Sequence, residues 1–198
     1  MDERIRPTAP PIATAASAGR KAIQQIARHA VPGLADFAVV FVVAGHWIVG
    51  IAAAHATPAG ARLLRDLQRV YRVRIDDLRS TVAQVVRTGR PALRRTIVHE
   101  SAPQVPRGSV ADIHHRLASR SALVLPIRVG GMVTGAVSLC YAESGRTYAP
   151  SDLAAAQRVA RQIERTAAPL PHAAPRLRAA TGDPRRPATI RRRVVPRN

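Results

Sequence analysis

Two long apolar stretches dominate the hydrophobic pattern of the chain. The first, ADFAVVFVVAGHWIVGIAAAHATPAGA at residues 35–61, has no Asp, Glu, Lys or Arg after Asp36 until Arg62. A run of about 20 apolar residues can span a membrane as a helix. However, DFAVVFVV is rich in β-branched and aromatic residues, and AGHW is typical of a turn. We therefore favour a buried hairpin of two strands over a membrane-spanning helix.

The second stretch, SALVLPIRVGGMVTGAVSLCYAE at residues 121–143, predicts another hairpin. Gly130 and Gly131 suit a two-residue turn that requires positive φ. Pro126 cannot donate a hydrogen bond to a neighbouring strand, so we expect a bulge or an unpaired position there. ALRRTIVHE, at residues 92–100, predicts an edge strand whose charges discourage pairing with another edge.

Helical periodicity fills the segments around these strands. Apolar residues recur at three- and four-residue spacing over 18–29, 58–71, 80–88, 110–117 and 151–167. Thr57 can cap the second of these helices, with Pro58 at its first position. Gly89 is placed to end the third helix in a left-handed conformation. Ser109 and Asp112 have the spacing of a capping box at the start of the fourth.

These elements predict an α+β fold with a mainly antiparallel sheet of five or six strands. We expect the first and last helices to pack together on one face. The middle helices would cover the other face and leave a pocket between them and the sheet. Residues 1–17 are expected to be disordered and residues 18–168 to form the domain. Residues 169–198 are rich in Pro and Arg without apolar periodicity, which predicts a disordered basic tail.

The positive charge of the chain raises the question of whether it binds nucleic acid. The net charge of +19 comes from 31 Lys and Arg residues against 12 Asp and Glu, and Lys21 is the single lysine. Abundant Arg, Ala and Pro also indicate a GC-biased genome, which weakens that inference. Nucleic acid or anionic lipid could bind the tail through salt-sensitive phosphate contacts, although the tail has no aromatic residue for base stacking. A solvated tail without a partner is the alternative. The candidate anion contacts are Arg185, Arg186, Arg191, Arg192 and Arg193.

The number of cysteines in the chain helps to predict its cellular compartment. Cys140 is the single cysteine, which excludes an internal disulfide and any metal site built from several cysteines. A lone thiol suits a reducing cytoplasm, and residues 1–19 lack the apolar core of a secretory signal. We therefore expect a cytoplasmic protein without a membrane span. Because Cys140 lies within a predicted strand, we expect a small buried side chain rather than a reactive thiol.

Several segments occur in an order that resembles a GAF domain. They are VPGLADFAVVFVV, IAAAHATPAGARLLRDLQRVY, VVRTGRPALRRTI with its Thr-Gly-x-Pro end, and the closing hairpin, loop and helix. The match covers about residues 21–168 and is strongest to the GAF modules of bacterial signalling proteins. The resemblance implies a regulatory module that binds a small molecule or a signalling protein. It also implies a homodimer formed through residues 18–29 and 151–167.

The chain departs from the family pattern in several places. It lacks the Asn-Lys-x-x-Phe-Asp-Glu run of cyclic-nucleotide-binding members and a counterpart of the cysteine that holds bilin. Members that reduce methionine sulfoxide use more than one cysteine, so we expect no enzymatic activity. Residues 169–198 are too few to build an effector domain. Two alternatives therefore stay open: a nucleic-acid-associated protein acting through its tail, or a truncated fragment of a sensor kinase or phosphatase.

Candidate ligand contacts follow from the position of the pocket in the resembling family, which the helix at 110–117 often borders. His114 or His115 could ligate haem there, although adjacent helix positions point about 100° apart. Exposed or core histidines are the alternative, as are a surface charge at Arg120 and core packing of the tyrosines. A metal cluster of His55, His99 and His114 would require the fold to bring them together. The candidate ligand contacts are Tyr71, His99, Ile113, His114, Leu117, Arg120, Ser121 and Tyr141.

Overall fold

A six-stranded sheet organises the residues that the computed structural model describes, which are 11–98 and 106–167. Its neighbouring strands are all antiparallel and lie in the order β3-β2-β1-β6-β5-β4. This confirms the predicted α+β fold. The strands are β1 (Phe37–Ala44), β2 (Trp47–His55), β3 (Arg72–Arg74), β4 (Ala92–Arg94), β5 (Ser121–Val129) and β6 (Met132–Tyr141).

Helices cover both faces of the sheet. The helices are α1 (Pro11–His29), α2 (Pro58–Val70), α3 (Thr81–Thr88), α4 (Val110–Leu117) and α5 (Leu153–Ala167). As predicted, α1 and α5 contact each other on one face, where their apolar side chains join one buried cluster. The side chains of α2, α3 and α4 form a second buried cluster on the opposite face. The sheet therefore separates two apolar layers.

The first apolar stretch forms a hairpin, as predicted. β1 and β2 are joined through a turn in which Gly45 has a φ of 62°, a conformation that favours glycine. Phe37, Val39 and Phe41 face the α2–α4 layer, whereas Ala38 and Val40 face α1 and α5. Burial on both faces explains why the run has no polar alternation. Within the described ranges, no helix has the length and hydropathy needed to cross a membrane.

The predicted helix ends are largely confirmed. Thr57 accepts a hydrogen bond from the N–H of Gly60, and Gly89 ends α3 with a φ of 62°. Ser109 accepts from the N–H of Asp112, but the carboxylate of Asp112 accepts from the residue before Ser109. The capping box predicted at α4 is therefore only half formed. In a complete capping box the carboxylate of Asp112 would accept from the N–H of Ser109, but here it accepts from the N–H of Gly108.

Pro126 is tolerated because its strand has an open side. β4 pairs with residues 122–124 only, so none of the described strands lies on that side at Pro126. The bulge in β5 falls between Ile127 and Arg128, just beyond the proline. Both features agree with the irregularity predicted for this position.

Some element boundaries differ from the sequence prediction. α1 begins at Pro11 rather than at residue 18, so the expectation of a disordered segment through residue 17 is wrong for residues 11–17. The stretch IATAASA favours helix through its alanines but has no large apolar periodicity to show it. β4 ends at Arg94, and β3 was not predicted, because three-residue edge strands carry too little pattern. Residues 1–10 and 168–198, including the predicted basic tail, lie outside the described residues.

Candidate functional site

The sheet divides the candidate ligand contacts between its two faces. Tyr71, Ile113 and Leu117 belong to the apolar cluster beneath α2–α4. Tyr141 belongs to the cluster beneath α1 and α5, and Ser121 is its register partner. Directly paired residues point to the same face of a sheet, so Ser121 also faces the terminal helices. The structure therefore does not bring Ser121 and Tyr141 into one site with Tyr71, which corrects the predicted grouping.

The first group packs around Tyr71, at the C-terminal end of α2. The ring centroid of Tyr71 lies 4.9 Å from that of Phe41 and 6.2 Å from that of His114. Ile113 and Leu117 of α4 are buried in the same cluster. We call these five residues the α4 site. Burial raises the pKa of Tyr71 to about 12, against an opposing hydrogen bond with Ser80, so its hydroxyl stays neutral.

Aromatic and aliphatic side chains of the α4 site suit an apolar or planar group. Tyr71, Ile113 and Leu117 already fill one another's space, each with at most 6% of its surface exposed. A ligand entering here would have to displace these side chains or shift α4 away from the sheet. His114 is exposed and lies at the rim.

The two adjacent histidines do not suit haem. α4 turns Ile113 and Leu117 toward the sheet, whereas His114 and His115 are both exposed. An axial ligand to a haem buried at this site would have to project from the apolar side of the helix. His115 points away from that side, and His114 only borders the site, with its ring centroid 6.2 Å from that of Tyr71. Within residues 11–98 and 106–167, no group of three potential ligands could hold a metal ion. His99 lies outside the described residues.

On the face of the sheet covered by α1 and α5, Ser121 and Tyr141 take part in a junction of hydrogen bonds and ring contacts. The Ser121 hydroxyl donates to the carbonyl of Arg94 at 2.9 Å and accepts from the N–H of Tyr148 at 3.0 Å. Tyr148 stacks on Tyr141 with centroids 4.3 Å apart, and its hydroxyl donates to the carbonyl of Leu34 at 2.7 Å. These contacts tie the loop after β6 to the sheet. The hydroxyl of Ser121 is thus engaged by backbone groups rather than presented to an anion.

Arg120 lies at the same junction but contributes through its backbone. Its side chain is exposed, its N–H donates to the carbonyl of Tyr141 at 2.7 Å, and its carbonyl accepts from Ile97. The hydroxyl of Tyr141 is buried without a hydrogen-bond partner among the described residues. The guanidinium of Arg146 lies 4.4 Å from the centre of the Tyr141 ring, a cation–π distance.

Asp36 is a buried polar residue to which the sequence assigned no role. Its carboxylate accepts from the N–H of Ala142 at 2.7 Å and of Ser144 at 2.9 Å. Burial acts to raise the pKa of Asp36, but these hydrogen bonds and the nearby His55 outweigh it and lower the pKa. The sequence signal that could have indicated this role is an acidic residue directly before a buried strand. It marks a structural junction between the start of β1 and the loop after β6.

Cys140 and His55 are also held in structural positions. Cys140 is buried, as predicted, and burial raises the pKa of its thiol to about 11. His55 stacks on Phe37 with ring centroids 5.6 Å apart, and its Nδ1 lies 3.0 Å from the backbone nitrogen of Thr57, which donates to it. Burial lowers the pKa of His55, so the imidazole is neutral and suited to accepting this bond.

The family assignment rests on sequence as well as on this geometry. The family model for the GAF domain matches residues 20–166, which is most of the chain. The chain belongs to the GAF family. No curated protein is similar enough in sequence to count as a match.

Solved structures share the fold of this GAF domain at low sequence identity. A GAF domain/HD domain protein from Geobacter sulfurreducens is 12% identical, with 80% of this chain and 94% of that chain covered and a TM-score of 0.56. The second GAF domain of DevS from Mycobacterium smegmatis is 19% identical, with 74% and 91% covered and a TM-score of 0.52.

A type II free methionine-R-sulfoxide reductase from Thermoplasma acidophilum has the same fold. It is 12% identical, with 77% of this chain and 93% of that chain covered and a TM-score of 0.54. The fold therefore hosts an enzyme as well as GAF domains of other proteins, and the residues of each site decide the function.

Proposed function

We propose that this GAF domain is a non-enzymatic regulatory module of signal transduction. In this proposal, a small molecule or a signalling protein binds at the α4 site and shifts α4. The shift passes through the sheet to α1 and α5, which carry the output. The signal requires that the ligand bind one arrangement of these helices more tightly than the other.

The observation that carries the proposal is a connection through the bulge in β5. The N–H of Arg128 donates to the carboxylate of Glu164, on α5, at 2.8 Å. Its guanidinium donates to the carbonyl of Gly89, at the end of α3, at 2.8 Å. Since α3 and α5 lie on opposite faces of the sheet, one residue joins the two layers. A displacement of α3 can thereby reach α5 without unfolding the strands between them.

The apolar cluster connects α4 to this bulge. Val82 and Val85 of α3 lie in the same buried cluster as Ile113 and Leu117 of α4. Because protein interiors are close-packed, opening the α4 site would also move the side chains of α3. The proposed path therefore runs from α4 through α3 and Arg128 to α5.

The non-enzymatic part of the proposal rests on the state of the one thiol. A nucleophilic cysteine must be a thiolate and partly open to solvent. Cys140 is buried, and its pKa is raised to about 11. It also faces the packed α2–α4 layer rather than a loop. Thiol chemistry of the kind used by sulfoxide reductases is not supported at this position.

Purification of the full chain from its native host gives the first test. An ultraviolet–visible spectrum and a native mass, measured together, detect a bound chromophore or a co-purifying small molecule. We then compare His114→Ala with His115→Ala. Both residues are exposed neighbours on α4, but the Tyr71 ring contact belongs to His114. We expect the His114 variant to retain several-fold less of the bound molecule, and equal retention by both variants would contradict the α4 site.

A second measurement tests the path to α5. Hydrogen exchange of α5 is measured with and without the molecule identified by mass, or with the purified signalling protein if that is the partner. Glu164→Ala removes the acceptor of the Arg128 N–H, whereas Gln162→Ala alters an exposed neighbour on the same helix. We expect binding to change exchange in α5 for the wild type and the Gln162 variant, but less for the Glu164 variant. An unchanged response in the Glu164 variant would contradict this path.

A further inference from the structure

Basic side chains cover the surface that α1 and α5 turn away from the sheet. We call this surface the outer basic face. Every one of its five residues is exposed. They are Lys21 and Arg28 on α1 and Arg158, Arg161 and Arg165 on α5.

Helix geometry places the three arginines of α5 in one stripe. Arg158, Arg161 and Arg165 are spaced by three and four residues, so they project from the same side of the helix. At a rise of about 1.5 Å per residue, the stripe is roughly 10 Å long. At about 100° per residue, it lies opposite the side that packs on the sheet. The buried residues of that packed side are Ala156, Ala160 and Ile163.

Acidic groups are sparse on the two helices of the described chain. The described part of α1, Pro11–His29, contains no Asp or Glu. Within α5, Glu164 accepts the N–H of Arg128, and Asp152, just before α5, accepts the N–H of Ala149. Among the described residues, none of the five basic residues forms an ion pair. The outer basic face therefore presents five basic side chains without an ion-pair partner among the described residues, and the one carboxylate of α5 beside them is that of Glu164.

We propose that the outer basic face docks on the phosphodiester backbone of nucleic acid. Four of its five residues are arginines, whose guanidinium group can donate two parallel hydrogen bonds to one phosphate. α5 ends at Ala167, and the sequence beyond it adds eight arginines against Asp183. The basic composition of α5 thus continues in the sequence after it, which suits a polyanion with many phosphates. Phosphate contacts of this kind carry no base specificity.

Other occupants fit the outer basic face less well. The homodimer expected through residues 18–29 and 151–167 could not use this face without setting five positive charges against five, which costs free energy. A membrane surface or an acidic peptide is usually held by apolar anchors as well as by charge. The large apolar residues that are exposed in the described part of the chain all lie outside α1 and α5. They are Trp47, Val70, Leu78, Val98 and Met132.

The chain provides a matched control for a charge-neutralising variant. Arg62, Arg65 and Arg69 of α2 have the same three- and four-residue spacing and are also exposed, but α2 lies on the opposite face of the sheet. R158Q/R161Q/R165Q and R62Q/R65Q/R69Q therefore remove the same charge from two different surfaces. Both triple variants are made in the full chain, so that the C-terminal arginines contribute equally.

The test measures binding to a fluorescein-labelled DNA duplex of mixed sequence by anisotropy over a series of KCl concentrations. Each phosphate contact contributes about −0.9 to the slope of log K against log salt concentration. We expect R158Q/R161Q/R165Q to make the slope shallower by about 2 to 3 and to weaken binding at least about tenfold at low salt. R62Q/R65Q/R69Q should leave the slope within about one unit of the wild type.

Equal slopes for the two triple variants, or no DNA binding by the wild type, would overturn the proposal. So would equally tight binding to phosphatidylserine vesicles or polyglutamate, or a dimer at low salt that R158Q/R161Q/R165Q abolishes. Far-ultraviolet circular dichroism checks that each variant is folded. If the triple variant of α5 does not fold, R161Q is compared with R65Q, with an expected slope difference of about 0.9.

Discussion

Replacing Asp36 with alanine removes the acceptor that joins the start of β1 to the loop after β6. In the native protein its carboxylate accepts from the N–H groups of Ala142 and Ser144 at 2.7 and 2.9 Å. Ala142 is buried, whereas Ser144 is exposed. In Asp36→Ala the N–H of Ser144 can turn to water, but that of Ala142 is left without an acceptor.

The expected magnitude follows from these two bonds. A hydrogen bond to a charged group contributes about 1.5–3 kcal/mol, and an unsatisfied buried donor costs about 1–3 kcal/mol. Counting Ala142 in full and Ser144 only in part, we expect Asp36→Ala to lower the free energy of unfolding by about 2–4 kcal/mol. Asp36→Asn keeps a carbonyl oxygen in place of the acceptor and should cost about 1–2 kcal/mol.

The loss should depend on pH. Burial acts to raise the pKa of Asp36, but the hydrogen bonds to its carboxylate lower it overall. A carboxylate with a depressed pKa stabilises the folded state above its unfolded pKa of about 3.9. That stabilisation is lost as the pH falls through the lower, folded pKa. The stability difference between wild type and Asp36→Asn should therefore be full near neutral pH and shrink in strong acid.

Urea denaturation, followed by circular dichroism from about pH 7 to about pH 2, measures both effects. Asp66→Asn is the control, because Asp66 is exposed on α2 and should change stability by less than about 0.5 kcal/mol. If Asp36→Ala costs no more than the control, the junction does not support the fold. A wild-type advantage over Asp36→Asn that persists unchanged into strong acid would refute the argument about its pKa.

Three further predictions concern packing and burial. Gly135→Ala should destabilise the protein by about 3 kcal/mol or more in urea denaturation, because the new methyl group would meet the backbone carbonyl of Phe41. Gly33→Ala has open space and should be close to neutral in the same assay. Cys140 is buried and its pKa is raised to about 11, so it should react with a thiol reagent at pH 8 only when the protein unfolds. Rapid labelling of Cys140 in the folded protein would contradict its burial. Tyr148→Phe removes the hydrogen bond from the Tyr148 hydroxyl to the carbonyl of Leu34. It should lower the melting temperature by a few degrees, equivalent to about 1 kcal/mol for one lost hydrogen bond. An unchanged melting temperature would mean that this bond does not stabilise the fold.

Local rules account for most of what the sequence predicted correctly. A hairpin turn at Gly130 and Gly131, a helix start at Thr57 and a helix end at Gly89 each depend on a few neighbouring residues. The same rules failed where the local signal was weak. Alanines before residue 18 carry no periodicity, and β3 has three residues. The order of the predicted helices and strands along the chain then restricted the fold to an antiparallel sheet with helices on both faces.

The division of the candidate site depended on the tertiary structure. Tyr71 and Tyr141 are both buried tyrosines at the ends of elements, yet the sheet places them in different apolar layers. Ser121 could be assigned to a face only from its register with Tyr141, and register is set by pairing across the whole sheet. The wrong grouping of these residues came from that missing register.

The sequence by itself determined the two hairpins, the helix caps and the membership of the antiparallel α+β class. Each of these follows from apolar spacing and from backbone preferences that act over a few residues. Only the tertiary structure revealed that Asp36 binds Ala142, 106 positions along the chain, and that Arg128 links α3 to α5. The pairing of α1 with α5 was predicted from the order of the elements, but the structure was needed to show which of their basic residues lie on the outer surface. These contacts join distant segments, and their partners become neighbours only when the strands pair and the helices pack.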